Sequence, residues 1–554
     1  MTRPEAGRWR WHAGAGTLYV AVSVLLLDHG ASLTQTVLGP GSDPFGFVWF
    51  LSWWPYAAMH GLDPFWTGLI WRPVGYAPMW GSAVPLLAAA VAPLTIFCSP
   101  VLAYNLLVLA APVLSAACAY LLCLRVTATP SAALAGGYVF GFSAYQMAQA
   151  AILNLCFTFL LPCLLLVVLA RLSGGLGRAG AVGLACLILV CEFLISTEIF
   201  AMLFLFGGIG WLVAYAMLPR LRGALNMLLL DAAVAAAVAA ALLAPLLVSM
   251  FSRYPFVHLP ALWPHFFSAD LLAFLLPSQN TLLGGQVFQH AIHGFFTDLQ
   301  EQDSYVGLPL LLIVYGFARQ YGREPAARFL VVTFLLLLLF SLGPRLWVFG
   351  AYTRIPMPWA GVLKLPLLGG ALPVRFALYA ALAAALMVAQ WIARAAPGRV
   401  REARLLGAGL GCVAMLPVFN PVQKLDHSRF FMPGRVQEVL GPAPNLLVLP
   451  FGPHGPSSYW QVENHFGFAQ TGGYLGFPPA AAQNFPAAQE LFSGDPNALV
   501  LDDLRAFCAA AHTGFIVAGP GTPPEMLAKL GELKWPSRQV DDVTIFNVPG
   551  ATRG

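Results

Sequence analysis

Five ionisable side chains flank long apolar runs in this 554-residue chain and are the first candidates for chemistry: Asp43, Glu198, Glu301, Lys364 and Arg375. Asp43 sits in the turn Gly39-Pro-Gly-Ser-Asp-Pro-Phe45, ahead of the aromatic stretch Gly46-Phe-Val-Trp-Phe-Leu-Ser-Trp-Trp54. Ser-Asp-Pro taken alone reads first as a solvated turn, and the proline biases Asp43 toward extended backbone. A carboxylate beside such an aromatic stretch is nevertheless placed to meet a lipid headgroup. Glu198 lies where one apolar run ends and the next begins, and it can reach water at low cost. Glu192, six residues deeper, reads equally as a functional group or as a hydrogen-bonding partner of a neighbouring span, and Asp231 reads as structural. Glu301 precedes Tyr305-Val-Gly-Leu308 at the mouth of another run. Arg375, in Leu372-Pro-Val-Arg-Phe376 with Lys364 nearby in sequence, can bind phosphate through two parallel N–H groups or snorkel to lipid phosphates at large.

The composition says what must position these groups. The chain is 59% hydrophobic and 10% charged, against about 25% charged residues in an ordinary soluble domain. Apolar runs of the length a bilayer requires, roughly 20 residues, recur to about residue 420, which makes this a polytopic membrane protein. The net charge of +5 is scattered over short loops, which excludes a nucleic-acid face and favours lipids as partners. The nine cysteines lie mostly in apolar runs, so they read as small buried hydrophobes rather than as a disulfide framework.

Hydropathy places spans at Trp11–Leu27, Val101–Leu124, Ala132–Met147, Ile152–Ala170, Ala179–Ile195, Glu198–Met217, Leu225–Met250, Tyr305–Ala318, Phe329–Leu342, Leu372–Ile392 and Leu405–Phe419. Arg125, Arg171 and Arg178, Arg220 and Arg222, Arg319 and Arg323, then Arg394 through Arg404 fill every second loop. The bias of cations toward the cytoplasm puts those loops and the N-terminus inside. Gly46–Met59 and Ser82–Phe97 either lie in the outer interface or re-enter, which fits Trp49, Trp53, Trp54, Trp66, Trp71 and Trp80 there, or both cross. The count is therefore 11 to 13, and the tail ends outside. The outer face carries the loops 28–100 and 251–304, and all four of Asp43, Glu198, Glu301 and Arg375. These four are expected to line one cavity.

From Pro421 the composition changes. Short β-like runs at Asn445–Phe451, Gly514–Ala518 and Val543–Val548, with helices expected at Asn497–Ala511 and Pro523–Leu533, describe a small α/β domain. The expected organisation is an all-α transmembrane domain over residues 1–420 and a periplasmic α/β domain over residues 421–554. Gly452-Pro-His-Gly-Pro456 and Gly472-Gly-Tyr-Leu-Gly476 read as loops, and Tyr459, Trp460 and His465 as aromatic surface suited to sugars. The outer loop holds Asp270, His290, His293, Asp298 and Asp303, which read as solvated. The two histidines are spaced for one helical face, but without H-E-x-x-H or a DxD pair no motif supports a divalent cation or any other cofactor. There is also no serine elbow, Walker loop or dinucleotide fingerprint.

The order of features resembles the GT-C superfamily of membrane glycosyltransferases, which includes protein O-mannosyltransferases and the lipid A aminoarabinose transferase. The likeness covers roughly residues 10–420 and is carried by Gly41-Ser-Asp-Pro44, Gly61-Leu-Asp-Pro-Phe65, Pro73-Val-Gly-Tyr76, Tyr138-Val-Phe-Gly-Phe-Ser143 and Leu372-Pro-Val-Arg-Phe376. It implies an enzyme of the bacterial inner membrane, a hexosyl- or pentosyltransferase. Such an enzyme moves a sugar from a polyprenyl-phosphate donor to a glycan, lipid or protein acceptor on the periplasmic side. The resemblance makes Asp43 the general base; beside it, Arg375 is the cation expected to stabilise the leaving phosphate, Glu198 and Glu301 are expected to orient hydroxyls, and Lys364 is a further substrate-binding candidate. The competing readings are a non-enzymatic lipid or polysaccharide transporter and an envelope assembly subunit. A transporter should carry paired charges at mid-membrane on broken helices, and most of the candidate acids here gather at one face.

Overall fold

A computed structural model describes residues 5–253, 262–284, 288, 301–365 and 371–550. Among them, seven helices are long and apolar enough to cross a membrane: Trp9–Asp28, Pro100–Thr127, Leu153–Leu172, Arg178–Ile195, Thr197–Met217, Pro219–Phe251 and Pro373–Ala393. The chain is a multi-pass membrane protein. The other four expected spans occur as the shorter helices Pro130–Gly141, Leu308–Tyr321, Pro325–Ser341 and Arg399–Ala414.

The chain divides into two compact units. The first comprises Met1–Gly30, Leu107–Leu243 and Leu259–Asn420. At its centre lies the helix Ala377–Ala393, most of whose side chains are buried. Its alanines let the helix Pro130–Gly141 approach closely. A Cβ at Gly136 would sit 3.0 Å from the Ala385 carbonyl oxygen and 3.2 Å from the Ala389 Cβ, and one at Gly141 would sit 2.4 Å from the Ala116 Cβ of the helix Pro100–Thr127. Small residues are what such packing needs, because burying apolar surface supplies little drive between helices in lipid.

The expected span Ala132–Met147 breaks after Gly141. Ser143 opens a second short helix, Ala144–Ala148, by accepting a hydrogen bond from the Gln146 N–H. The interruption leaves polar side chains buried, and they bond one another: Gln146 donates to the Cys156 carbonyl at 2.5 Å, and Thr158 donates to Gln146 at 2.9 Å. Ser196 ends one long helix and caps the next, accepting from the Ile199 N–H at 3.1 Å. This junction places Glu198 in the first turn of Thr197–Met217, where the helix dipole favours a negative charge.

The second unit comprises Ala31–Leu106, Ala244–His258 and Pro421–Gly554. It holds a five-stranded sheet in the order Ala469–Gln470, Asn445–Leu449, Phe515–Ala518, Val543–Asn547, Ser537–Val540. Asn445–Leu449 runs parallel to both of its neighbours, and the other two pairings are antiparallel. Its residues Leu446 to Leu449 are buried, as a parallel strand covered on both faces must be. The helices Leu501–Ala510 and Pro524–Gly531 lie within the expected segments, as do three of the strands. The edge strands Ala469–Gln470 and Ser537–Val540 were not expected, because they lack a run of apolar residues.

The first loop folds into this same unit. Thr36–Leu38 pairs antiparallel with Val422–Lys424. Asn105, fully buried, accepts from the Leu38 N–H at 3.0 Å and donates to the Leu33 and Thr36 carbonyls at 2.8 and 2.7 Å. Of the tryptophans expected at an interface, Trp49, Trp53 and Trp71 are core, with Trp49 and Trp53 stacked at 5.4 Å, whereas Trp66 is exposed and Trp54 and Trp80 are half-buried. The Trp49 indole donates to Gln461 at 2.8 Å. An indole can satisfy its single N–H inside a protein as well as at a lipid surface, and the sequence does not distinguish the two.

Candidate active site

Asp43 is the first residue of the helix Asp43–Met59. The extended backbone expected before Pro44 is not found, because proline fits the first turn of a helix and a carboxylate is favoured at its positive end. The approach to it is fixed from several sides. Gln423 donates to the Gly39 and Gly41 carbonyls at 2.6 and 2.9 Å, and the Ser42 hydroxyl donates to the Pro453 carbonyl at 2.6 Å. The Tyr474 hydroxyl donates to Asp43 Oδ1 at 2.9 Å. Tyr474 lies in the Gly-Gly-Tyr-Leu-Gly run that reads as a loop, and the backbone at the tyrosine and just after it is tethered. Ser458 donates to the Tyr474 carbonyl at 2.8 Å and Tyr76 to the Leu475 carbonyl at 2.6 Å. A Cβ at Gly81 would sit 1.8 Å from the Tyr76 hydroxyl oxygen, so glycine is required there for the tether to form.

The structure brings Glu198, Glu301 and Arg375 together in the first unit. The Arg375 guanidinium grips Glu301 with two parallel donors, Nε to Oε2 at 3.3 Å and Nη2 to Oε1 at 2.5 Å, while Nη1 pairs with Glu198. The Arg375 side chain is 13% exposed, Glu301 7% and Glu198 25%. One cation between two carboxylates leaves the trio net negative. Glu301 lies in the segment that leads into the helix Leu308–Tyr321. Asp303 in the same segment is buried rather than solvated, and its Oδ2 accepts from Gln149 at 3.4 Å. Its Oδ1 has no hydrogen-bond partner among the described residues. Burial, and then the neighbouring Glu301, push the Asp303 carboxyl well above the usual range. A small cavity opens beside it, lined by Ser143, Tyr145, Asp303, Ser304, Tyr305 and Ala380 among others.

The other candidates have surroundings of their own. Lys364 is exposed in the turn after Trp359–Val362 and makes no ion pair among the described residues. Glu192 is buried with no hydrogen-bond partner among the described residues. Asp231 is gripped by Arg171 at 2.8 Å and Arg178 at 2.7 Å, so two guanidiniums compensate its burial. Asp270 is structural and accepts from the Leu272 and Gly350 N–H groups. Tyr459 and Trp460 are buried, not surface, and only His465 of that set is exposed. His290, His293 and Asp298 lie outside the described residues. Among the described residues no three His, Cys, Asp or Glu side chains come together in a way that would hold a metal. Sequence reasoning missed Tyr474 and Gln149; the Gly-rich run around the tyrosine was the one available signal.

No protein-family model and no curated protein matches the sequence. Solved structures do match the fold. The archaeal oligosaccharyltransferase AglB from Archaeoglobus fulgidus, solved with an inhibitory peptide and a dolichol-phosphate, is 13% identical with a TM-score of 0.52, over 92% of this chain and 70% of that one. The arabinofuranosyltransferase AftD from Mycobacteria is 14% identical with a TM-score of 0.58, over 98% of this chain, which spans 40% of AftD. The chain shares the fold of these two transferases.

Proposed function

We propose that the chain is an integral-membrane glycosyltransferase that moves a sugar from a polyprenyl-phosphate donor to a glycan, lipid or protein acceptor of the cell envelope. The observation that carries this reading is the fold likeness to AglB and AftD over 92% and 98% of the chain. AglB was solved with a dolichol-phosphate, which supports a lipid-linked phosphate as the leaving group here. The alternating cation-rich loops support placement in the bacterial inner membrane with the N-terminus cytoplasmic and residues 421–554 periplasmic.

In this reading Asp43 is the general base. Its carboxylate takes the proton of the acceptor hydroxyl as that oxygen bonds to C1 of the sugar, the C1–O bond to phosphate breaks, and polyprenyl phosphate leaves. Arg375 stabilises the phosphate charge. Its donors face Glu198 and Glu301, so the phosphate exchanges with Glu198, the more exposed of the two. Glu198 and Glu301 orient hydroxyls of sugar or acceptor, and Lys364 adds positive charge for the phosphate. The test is transfer by the purified protein in lipid nanodiscs, supplied with undecaprenyl-phosphate-linked hexoses and pentoses and an envelope glycan extract. The lipid-linked sugar should be consumed and a glycosylated acceptor should appear. Intact donors with every sugar and acceptor fraction would count against the reading.

A further inference from the structure

The contact between Asp43 and Tyr474 joins residues 431 positions apart, and nothing in the proposed reaction requires it. The phenol could reach solvent more simply if its loop were free, yet the loop is tethered at two successive carbonyls by Ser458 and Tyr76. The Tyr474 ring lies against Phe492, with centroids 6.5 Å apart, and Phe492 stacks on Trp71 at 5.9 Å. Trp71 is 2% exposed. The hydroxyl is thus aimed at the carboxylate by a rigid aromatic support.

We propose that Tyr474 is a positioning residue: its hydroxyl fixes the orientation of the Asp43 carboxylate and stabilises its charged form, so that the C-terminal part of the chain completes the base. This rests on the reading of Asp43 as the base. A donor bonded to a carboxylate favours ionisation, because the bond to the charged form is the stronger one. Three of the titratable groups on nearby elements have partners of their own among the described residues. His454 bonds the Phe492 carbonyl at 2.8 Å, and Tyr459 and Glu463 bond each other and His427. Tyr474 is the group whose bond to the carboxylate can be deleted while the aromatic packing is kept.

Tyr474→Phe does that. The readout is labelling of Asp43 by a carbodiimide, which reacts with the protonated carboxyl, followed against pH by peptide mass spectrometry in the full-length protein. The variant should keep its melting temperature and move the labelling midpoint up by about one pH unit. Ser458→Ala, which loosens the loop and leaves the phenol intact, should move it the same way by less. Transfer by Tyr474→Phe should fall about tenfold in kcat with KM unchanged, and the acid limb of its pH profile should follow the labelling shift. Coincident labelling curves for wild type and Tyr474→Phe, including no labelling in either, overturn the proposal. If the midpoint shifts but Asp43→Asn still transfers sugar, the hydrogen bond stands and the base assignment fails. If Asp43→Asn is dead and the curves coincide, the Tyr474 role fails alone.

Discussion

Asp43 is held by a neutral phenol at the start of a helix, whereas Glu198 and Glu301 are held by one guanidinium between them. A phenol bonded to a carboxylate adds no charge of its own, which suits a contact to a group that takes up and releases a proton. The second arrangement shares one cation between two carboxylates and joins three segments distant in sequence. Polar groups in an apolar protein thus differ in the chemistry of the partners that hold them as well as in the depth of their burial.

Truncating the cation should have the largest effect on folding. Arg375→Met leaves two carboxylates uncompensated and should cost about 3–5 kcal/mol of stability. Asp43→Asn removes a helix N-terminal charge and should cost under about 1 kcal/mol. Denaturant unfolding of both variants in the same detergent sharpens the contrast, and equal losses would break it. Within the trio, Glu301→Gln should destabilise by about 2 kcal/mol and Glu198→Gln by about 1 kcal/mol, since Glu301 is the more buried and takes both parallel donors. The reverse order would mean that the guanidinium is anchored from the Glu198 side.

Asp303 provides a pH-dependent comparison. Its folded-state pKa is raised by burial, so its contribution is fully favourable below the unfolded value, near about 4, and is lost as pH rises toward the folded value. Asp303→Asn should therefore be more stable than wild type at pH 8, with the difference vanishing as pH falls toward 4. An unchanged difference across that range would show that Asp303 is ionised in the folded protein. The smallest effect belongs to the surface pair of Arg435 with Asp541, 2.9 Å apart. The Arg435 hydrogen bond holds the Asp541 carboxyl below its usual range, so the pair's contribution is present above about pH 4 and is lost as pH falls through the folded value. Melting curves of wild type and Arg435→Ala should converge in acid. A gap that persists at low pH would point to lost packing of the arginine stem.

Most elements were legible in the sequence because apolar runs and alternating strands have periods that residue types reveal. The Asn445 and Phe515 strands and the long helices followed that rule. Glu198, Glu301 and Arg375 were legible as candidates, since ionisable residues at the ends of apolar runs stand out, but their ion pairs were not, being contacts across 74 and 177 positions. The broken span after Gly141 was hidden for the same reason: Gln146 and Gln149 look like helix-surface residues until a partner is found for them. Trp49 and Trp53 of the Asp43 helix misled because amphipathic side chains fit an interface and a core equally well.

The central claim, that Asp43 is the base of a sugar transfer, is tested most directly by single-turnover transfer from an undecaprenyl-phosphate-linked sugar in nanodiscs, comparing wild type with Asp43→Asn. The account predicts a loss of about 10²–10⁴-fold in the rate of the chemical step, with donor binding and melting temperature preserved. Transfer by Asp43→Asn at the wild-type rate would contradict it.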